Sequence, residues 1–82
     1  MPEFEVVYTA STNSLHARAT KDGDWLLDAN YMQTPEGGCW IISGVQTGHA
    51  VMKLYAISDR YPMVVANVIK GYLQALYTEV AQ

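Results

Sequence analysis

The side chains of this 82-residue sequence that could do covalent chemistry are one cysteine, Cys39, and two histidines, His16 and His49. A cysteine beside a histidine base can act as a nucleophile, but nothing in this spacing brings either histidine to Cys39, and no orienting motif accompanies them. Free cysteine is among the most frequently buried residue types. We therefore expect Cys39 to be structural, on the sheet face that meets a helix, and we expect no catalytic residue and no enzyme activity.

Metal-binding side chains are present, but their spacing does not match a metal site. The two histidines, Cys39 and Asp28 lack the paired Cys-x-x-Cys or His-x-x-x-His arrangement that clamps zinc. Asp22, Asp24 and Asp28 lack the terminal bidentate glutamate of a calcium loop, and a turn explains them better. The glycines of segment 37–44 precede no helix that could hold a phosphate. The sequence therefore predicts neither a metal site nor a bound cofactor.

The composition is typical of a folded globular chain. Half of the residues are hydrophobic, only 16% are charged, and no apolar run approaches the roughly 18 residues that span a bilayer. We expect one α+β domain, residues 1–82, with no membrane partner. The first residues lack the basic start and apolar stretch of a signal peptide, and a lone cysteine cannot form an internal disulfide, so we expect a cytoplasmic protein.

The acidic side chains are concentrated in the first half of the chain. Residues 1–40 contain six carboxylates and two cationic side chains, whereas residues 41–82 contain two carboxylates and three cationic side chains. The formal net charge is -3. With few cations and no Lys/Arg cluster, the phosphate contacts that support direct nucleic-acid binding are missing. If nucleic acid is involved, the expected partner is a basic protein that binds it.

The first half of the chain predicts three antiparallel strands. In residues 3–10, Phe4, Val6 and Tyr8 alternate with Glu3, Glu5 and Thr9, as side chains do in a half-buried strand. Residues 14–31 contain two alternating runs around the turn signal Lys21-Asp22-Gly23, which predicts a hairpin with a three-residue loop and Gly23 in the left-handed position. This register pairs Leu15 with Ala29, Ala17 with Leu27, Ala19 with Trp25, His16 with Asp28 and Arg18 with Leu26.

Residues 39–57 predict a second hairpin. The segment 39–46 is rich in β-formers, and the segment 49–57 alternates like a strand although it also contains good helix formers; the alternation favours the strand. A tight turn at Thr47-Gly48 would fix which side chains share a face. One face would carry Cys39, Ile41, Ser43, Val45, Ala50, Met52, Leu54 and Ala56. The other face would carry Trp40, Ile42, Val51 and Tyr55, with His49 and Lys53.

The C-terminal segment predicts a helix. Ser58 or Asp59 can cap it, and Pro62 fits its first turn. The predicted apolar stripe consists of Val65, Val68, Ile69, Tyr72, Leu76 and Val80. The predicted fold is α+β: a four- to five-stranded antiparallel β-sheet, connected as a meander, with one C-terminal α-helix packed on one face.

The second hairpin has more apolar surface than one helix can cover. We expect Trp40, Ile42, Val51 and Tyr55 to form a self-association surface, most simply in a homodimer, because exposed apolar patches with aromatic residues mark interfaces. The alternative is that loop 32–38 or the N-terminal strand folds over this face and buries it.

A small acidic α+β protein with one free cysteine and a large apolar surface resembles the phage-encoded anti-CRISPR proteins of type I systems. This resemblance implies an inhibitor that works in the cytoplasm of the host bacterial cell, where it occupies the basic DNA-binding surface of the CRISPR effector complex. Many such proteins use acidic side chains for this purpose. The positions here that could do so are Glu3, Glu5, Asp24 and Asp28.

A second resemblance rests on the first strand, the meander and the helix 64–80. Together these segments are similar to HicB-type antitoxins, which neutralise an RNase partner. The Pro-Gly-Cys turn that precedes the helix in that family is not reproduced, since Gly38-Cys39 enters a strand. The antitoxin therefore stands as an alternative to the inhibitor, as does an oligomeric structural phage protein.

Overall fold

The computed structural model describes residues 4–19 and 23–81, with side chains described through residue 77. Within these residues the chain forms five strands and one helix. They are β1 (Glu5–Thr9), β2 (Ser14–Arg18), β3 (Trp25–Thr34), β4 (Gly37–Gly44), β5 (Ala50–Leu54) and α1 (Pro62–Ala81). The strands are antiparallel and lie side by side in chain order, so the predicted α+β meander with a C-terminal helix is confirmed.

The ambiguous segment 49–57 contains a strand, β5, as its alternating side chains predicted. The first hairpin also follows its predicted register over most of its length, with Leu15 opposite Ala29 and Ala17 opposite Leu27. At its outer end the register shifts by one residue, so that Arg18 rather than Ala19 lies opposite Trp25. Leu26 is the extra residue of β3 at this irregularity, which has the pairing of a β-bulge. Lys21 and Asp22 of the predicted turn lie outside the described residues.

The core lies between α1 and one face of the sheet. Its helical side is the stripe Val65, Ala66, Ile69 and Leu73, spaced so that all four point to the same side of α1. The predicted stripe is confirmed at Val65 and Ile69, and Tyr72 packs half-buried against the core, but Leu76 is exposed and Leu73 is buried in its place. The side of α1 that faces the sheet is therefore rotated by about one residue from the predicted side. The side chain of Val80 lies outside the described ones. The sheet contributes Leu15, Ala17, Leu27, Ala29, Trp40 and Ile42 to this core.

The prediction that Trp40 and Ile42 lie on an uncovered face is wrong. In the register of the second hairpin, Trp40 lies opposite Leu54 and Ile42 lies opposite Met52. All four side chains belong to the face covered by α1, and Trp40 and Ile42 are fully buried there. Trp40 also lies opposite Leu54 rather than next to Tyr55.

Two features of the second hairpin cause this difference: the loop between β4 and β5, and an extra residue within β5 that makes the net register shift odd. Residues 45–49 form a loop in place of the predicted two-residue turn, closed by the Gly48 N–H donating to Gly44 O over 2.9 Å. Gly48 has a positive φ of 72°, which glycine adopts without steric cost. Val51 is an extra, unpaired residue of β5. A register change by an odd number of residues moves every side chain of a strand to the opposite face.

Trp40 is also the residue that ties the end of the sheet to the start of the helix. Its Nε1–H donates a hydrogen bond to the carbonyl oxygen of Ser58 over 3.0 Å. The backbone N–H of Tyr61 donates to the same carbonyl over 3.2 Å, and the Oγ of Ser58 accepts from the N–H of Arg60. Ser58 therefore closes a turn ahead of α1 and does not cap the helix, which begins at Pro62.

Tyr31 covers a glycine on the same face. Its ring makes an edge-on contact with Trp40, with ring centroids 5.7 Å apart. The ring lies directly over Gly38, where a Cβ atom would come within 1.8 Å of the Tyr31 hydroxyl oxygen. Gly38 is therefore the residue that lets Tyr31 reach Trp40.

Asn13 links the first turn to the segment before α1. Its φ of 50° is in the left-handed region, where asparagine is better tolerated than most residues. Its Oδ1 accepts a hydrogen bond from the hydroxyl of Tyr8 over 2.8 Å, and its Nδ2 donates to the carbonyl oxygen of Asp59 over 3.1 Å. One side chain thus joins the turn between β1 and β2 to the segment that precedes α1.

Candidate functional site

The candidate site is the face of the sheet that α1 does not cover, which we call the open face. Side chains alternate along a strand, so the neighbours of the buried residues in β2 and β3 point away from the helix. Glu5 lies opposite Arg18, and His16 lies opposite Asp28. These residues are only partly buried, in contrast with the closed core on the other side.

Arg18 is held on this face by two neighbours. Its Nε–H donates to Oε2 of Glu5 over 2.9 Å, and its Cζ lies 4.3 Å from the ring centroid of Trp25. The register shift at Leu26 is what brings Trp25 opposite Arg18. A guanidinium over an indole face is attracted by the ring quadrupole, so the contact fixes both side chains.

His16 continues the row of contacts, since it also meets the ring of Trp25. Its ring meets the indole edge-on, with centroids 5.7 Å apart. Its Nδ1 lies 2.6 Å from Oδ1 of Asp28, so the pairing that the sequence predicted for His16 and Asp28 is confirmed. Five side chains therefore form one continuous row on the open face, with a carboxylate at each end and the indole in the middle. This open-face network consists of Glu5, Arg18, Trp25, His16 and Asp28.

The predicted partner-binding carboxylates are partly brought together by this arrangement. Glu5 and Asp28 form the two ends of the open-face network, and Asp24 is exposed immediately before Trp25. Glu3 lies outside the described residues. The surface is not uniformly anionic, because two of these carboxylates bind the nitrogen atoms of Arg18 and His16.

Trp25 is the residue of this site that sequence reasoning missed, because the predicted register pairs it with Ala19 on the apolar face of the hairpin. Arg18 is predicted on the polar face with His16 and Asp28, but opposite Leu26. Its contact with Trp25 could not be derived, because the register shift that creates it leaves no clear signal in the sequence.

Of the predicted self-association residues, two remain on the surface. Val51 is 40% exposed and Tyr55 is 46% exposed, on the edge strand β5 and directly after it. Trp40 and Ile42 are unable to contact a partner in this fold because the core encloses them.

Cys39 is fully buried, as expected of a structural cysteine. The prediction that it meets the helix is wrong, because Cys39 lies opposite Met32, two positions along β3 from Asn30 and four from Asp28, and so belongs to the other side of the sheet. Its thiol is closed to solvent. Within residues 4–19 and 23–81, no three His, Cys, Asp or Glu side chains come together as a metal site.

Comparison with protein-family models, with curated proteins and with solved structures finds no match for this chain. Among the residues that the structure describes, no helix combines the length and the apolar character needed to cross a membrane.

Proposed function

We propose that this chain is a small acidic inhibitor that acts by binding a protein, as the anti-CRISPR proteins of type I systems do. In this proposal the protein works in the cytoplasm of a host bacterial cell and occupies the basic DNA-binding surface of the effector complex. The observation that carries the proposal is the open face, where Glu5 and Asp28 sit at the two ends of one fixed network and Asp24 lies exposed beside it.

The exposure of the charged groups favours a basic partner over an acidic one. The side chains of Glu5 and Asp28 are 40% and 36% exposed, whereas that of Arg18 is 21% exposed. Three carboxylates, those of Glu5, Asp24 and Asp28, are thus available to a partner. The one guanidinium nearby, that of Arg18, is already packed on Trp25. Complementary charge of this kind raises the rate of association and makes binding depend on salt.

The experiment is a competition between this protein and target DNA for a guide-loaded type I effector complex. We expect the protein to displace DNA, and we expect Asp24→Lys to weaken displacement several-fold and to reduce its dependence on salt. Asp24 is the best site for this test because it makes no hydrogen bond among the described residues, so its replacement should spare the fold. Glu36→Lys is the matched control, since it makes the same change of charge at an exposed position after the other end of β3.

Displacement that is insensitive to salt and to Asp24→Lys would contradict the proposal. Absence of any effector binding, together with inhibition of a bacterial RNase toxin, would favour the HicB-type antitoxin in its place. Specific incorporation into phage particles would favour the structural phage protein.

Self-association remains part of the proposal, with Val51 and Tyr55 as its exposed residues. The outer side of β5 offers backbone groups that another strand can pair with, and Lys53 is the one charged residue of this strand. Light scattering at micromolar concentration should show a homodimer that Tyr55→Asp weakens. A strict monomer would remove this element and leave the inhibitor proposal standing.

A further inference from the structure

We propose that Trp25 is the anchor of the open face and that it receives an arginine side chain from a basic partner surface. This inference rests on the proposed function, which requires a basic partner, and it names the contact that such a partner makes. The docking area is the open-face network, not the apolar residues of the second hairpin.

The network is organised before any partner arrives. Arg18 is fixed by its hydrogen bond to Glu5 and its contact with Trp25, and His16 is fixed by its 2.6 Å contact with Asp28. Trp25 contacts the side chains of both Arg18 and His16 and remains partly exposed. A surface whose side chains are already ordered loses little conformational entropy on binding. Tryptophan and arginine are also the residues that most often dominate the binding energy of an interface.

The charges of the network select the occupant. Arg18 uses Oε2 of Glu5, and His16 uses Oδ1 of Asp28, so within the described residues the second oxygen of each carboxylate is left for an incoming donor. A guanidinium suits these acceptors because it donates several hydrogen bonds in one plane and also stacks on aromatic rings. Lysine has the charge but lacks the planar, stacking surface. We therefore expect arginine to be preferred to lysine at this site.

The test uses a labelled, arginine-rich peptide of about ten residues in place of the basic partner surface, and a lysine peptide of equal charge for comparison. Binding of each peptide is measured by fluorescence anisotropy at low salt. Wild-type protein should bind the arginine peptide several-fold more tightly than the lysine peptide. Trp25→Ser should weaken binding of the arginine peptide by at least about tenfold and should remove the preference. Met32→Ser is the matched control, because Met32 is exposed farther along the same strand and should change binding by less than about twofold.

Trp25→Phe keeps an aromatic ring against Arg18 and therefore replaces Trp25→Ser in the test if that variant fails to fold. It should retain part of the affinity and part of the preference for arginine. Equal binding of both peptides by wild type, or unchanged binding by folded Trp25 variants, would overturn the inference. The effector competition decides the proposed function separately: a protein that binds the arginine peptide through Trp25 but does not displace DNA from the effector supports this inference and refutes that function.

Discussion

Replacement of Gly38 by alanine should lower the stability of the protein more than the size of one methyl group suggests. The new Cβ would lie 1.8 Å from Oη, 2.5 Å from Cζ and 3.1 Å from Cε1 of Tyr31. The tyrosine ring is rigid, so it has to move as a whole. Movement of the ring would break its edge-on contact with Trp40.

The magnitude follows from these two effects. Overpacking of a core typically costs 1–3 kcal/mol, and an aromatic pair contributes about 0.5–1.5 kcal/mol beyond its buried area. We expect Gly38→Ala to lower the free energy of unfolding by about 2–3 kcal/mol. For a domain of this size, that corresponds to a fall in Tm of about 10–20 °C.

The assay is urea denaturation followed by circular dichroism and by tryptophan fluorescence. Gly71→Ala is the matched control, because a Cβ at Gly71 meets nothing within 4 Å and alanine is a better helix former than glycine. It should raise stability by about 0.5–1 kcal/mol. The double variant Gly38→Ala with Tyr31→Leu should lose less stability than the two single variants lose together, because the smaller side chain at position 31 relieves the clash. Gly38→Ala within about 0.5 kcal/mol of wild type would refute the reasoning.

Three further predictions concern single side chains. Asn13→Gly should lower the free energy of unfolding by about 1 kcal/mol, because it removes the two hydrogen bonds of the Asn13 side chain. Asn13→Ala should lower it by about 1 kcal/mol more, because alanine is strained at a φ of 50°. Equal stability of the two variants in urea would argue against this strain. Trp40→Phe should cost about 2 kcal/mol, because it leaves the Ser58 carbonyl without its indole donor and creates a small cavity, whereas Trp25→Phe on the open face should cost less than half as much in the same melts. Cys39 should react with a thiol reagent only as fast as the protein opens, and Cys39→Ser should leave partner binding within a few-fold; rapid labelling of the native protein would show that the thiol is accessible.

The fold could be predicted from the sequence where alternation, turn residues and helix spacing agree. Residues 14–31 show this well, because a turn signal and two alternating runs predict His16 opposite Asp28. In the structure, Nδ1 of His16 lies 2.6 Å from Oδ1 of Asp28. The helix is a partly similar case, because Pro62 lies in its first turn and Val65 and Ile69 are buried as predicted, whereas Ser58 does not cap it and Leu76 is exposed.

The faces of the second hairpin could not be predicted in the same way. The loop at Gly48 brings Ser43 opposite Ala50, which is two positions from the pairing that a two-residue turn would give and leaves the faces unchanged. The extra residue Val51 then makes the net shift odd and moves Trp40 and Ile42 from one face of the sheet to the other. A hairpin that is apolar on both sides gives no pattern to decide between them. The contact between Arg18 and Trp25 escaped prediction for a related reason, since it depends on one extra residue in β3.

The agreement between sheet order and chain order has a consequence for how the protein folds. Each strand pairs with the strand next to it in sequence, so the sheet can grow hairpin by hairpin without closing a long loop. The long-range step is the return of α1 to β1 and β2 at the far end of the chain. Proteins dominated by contacts between sequence neighbours fold faster than those that need distant pairings. In stopped-flow experiments, substitutions at Ile69 or Leu73 should therefore accelerate unfolding more than they slow folding, as expected for a helix that docks after the sheet has formed.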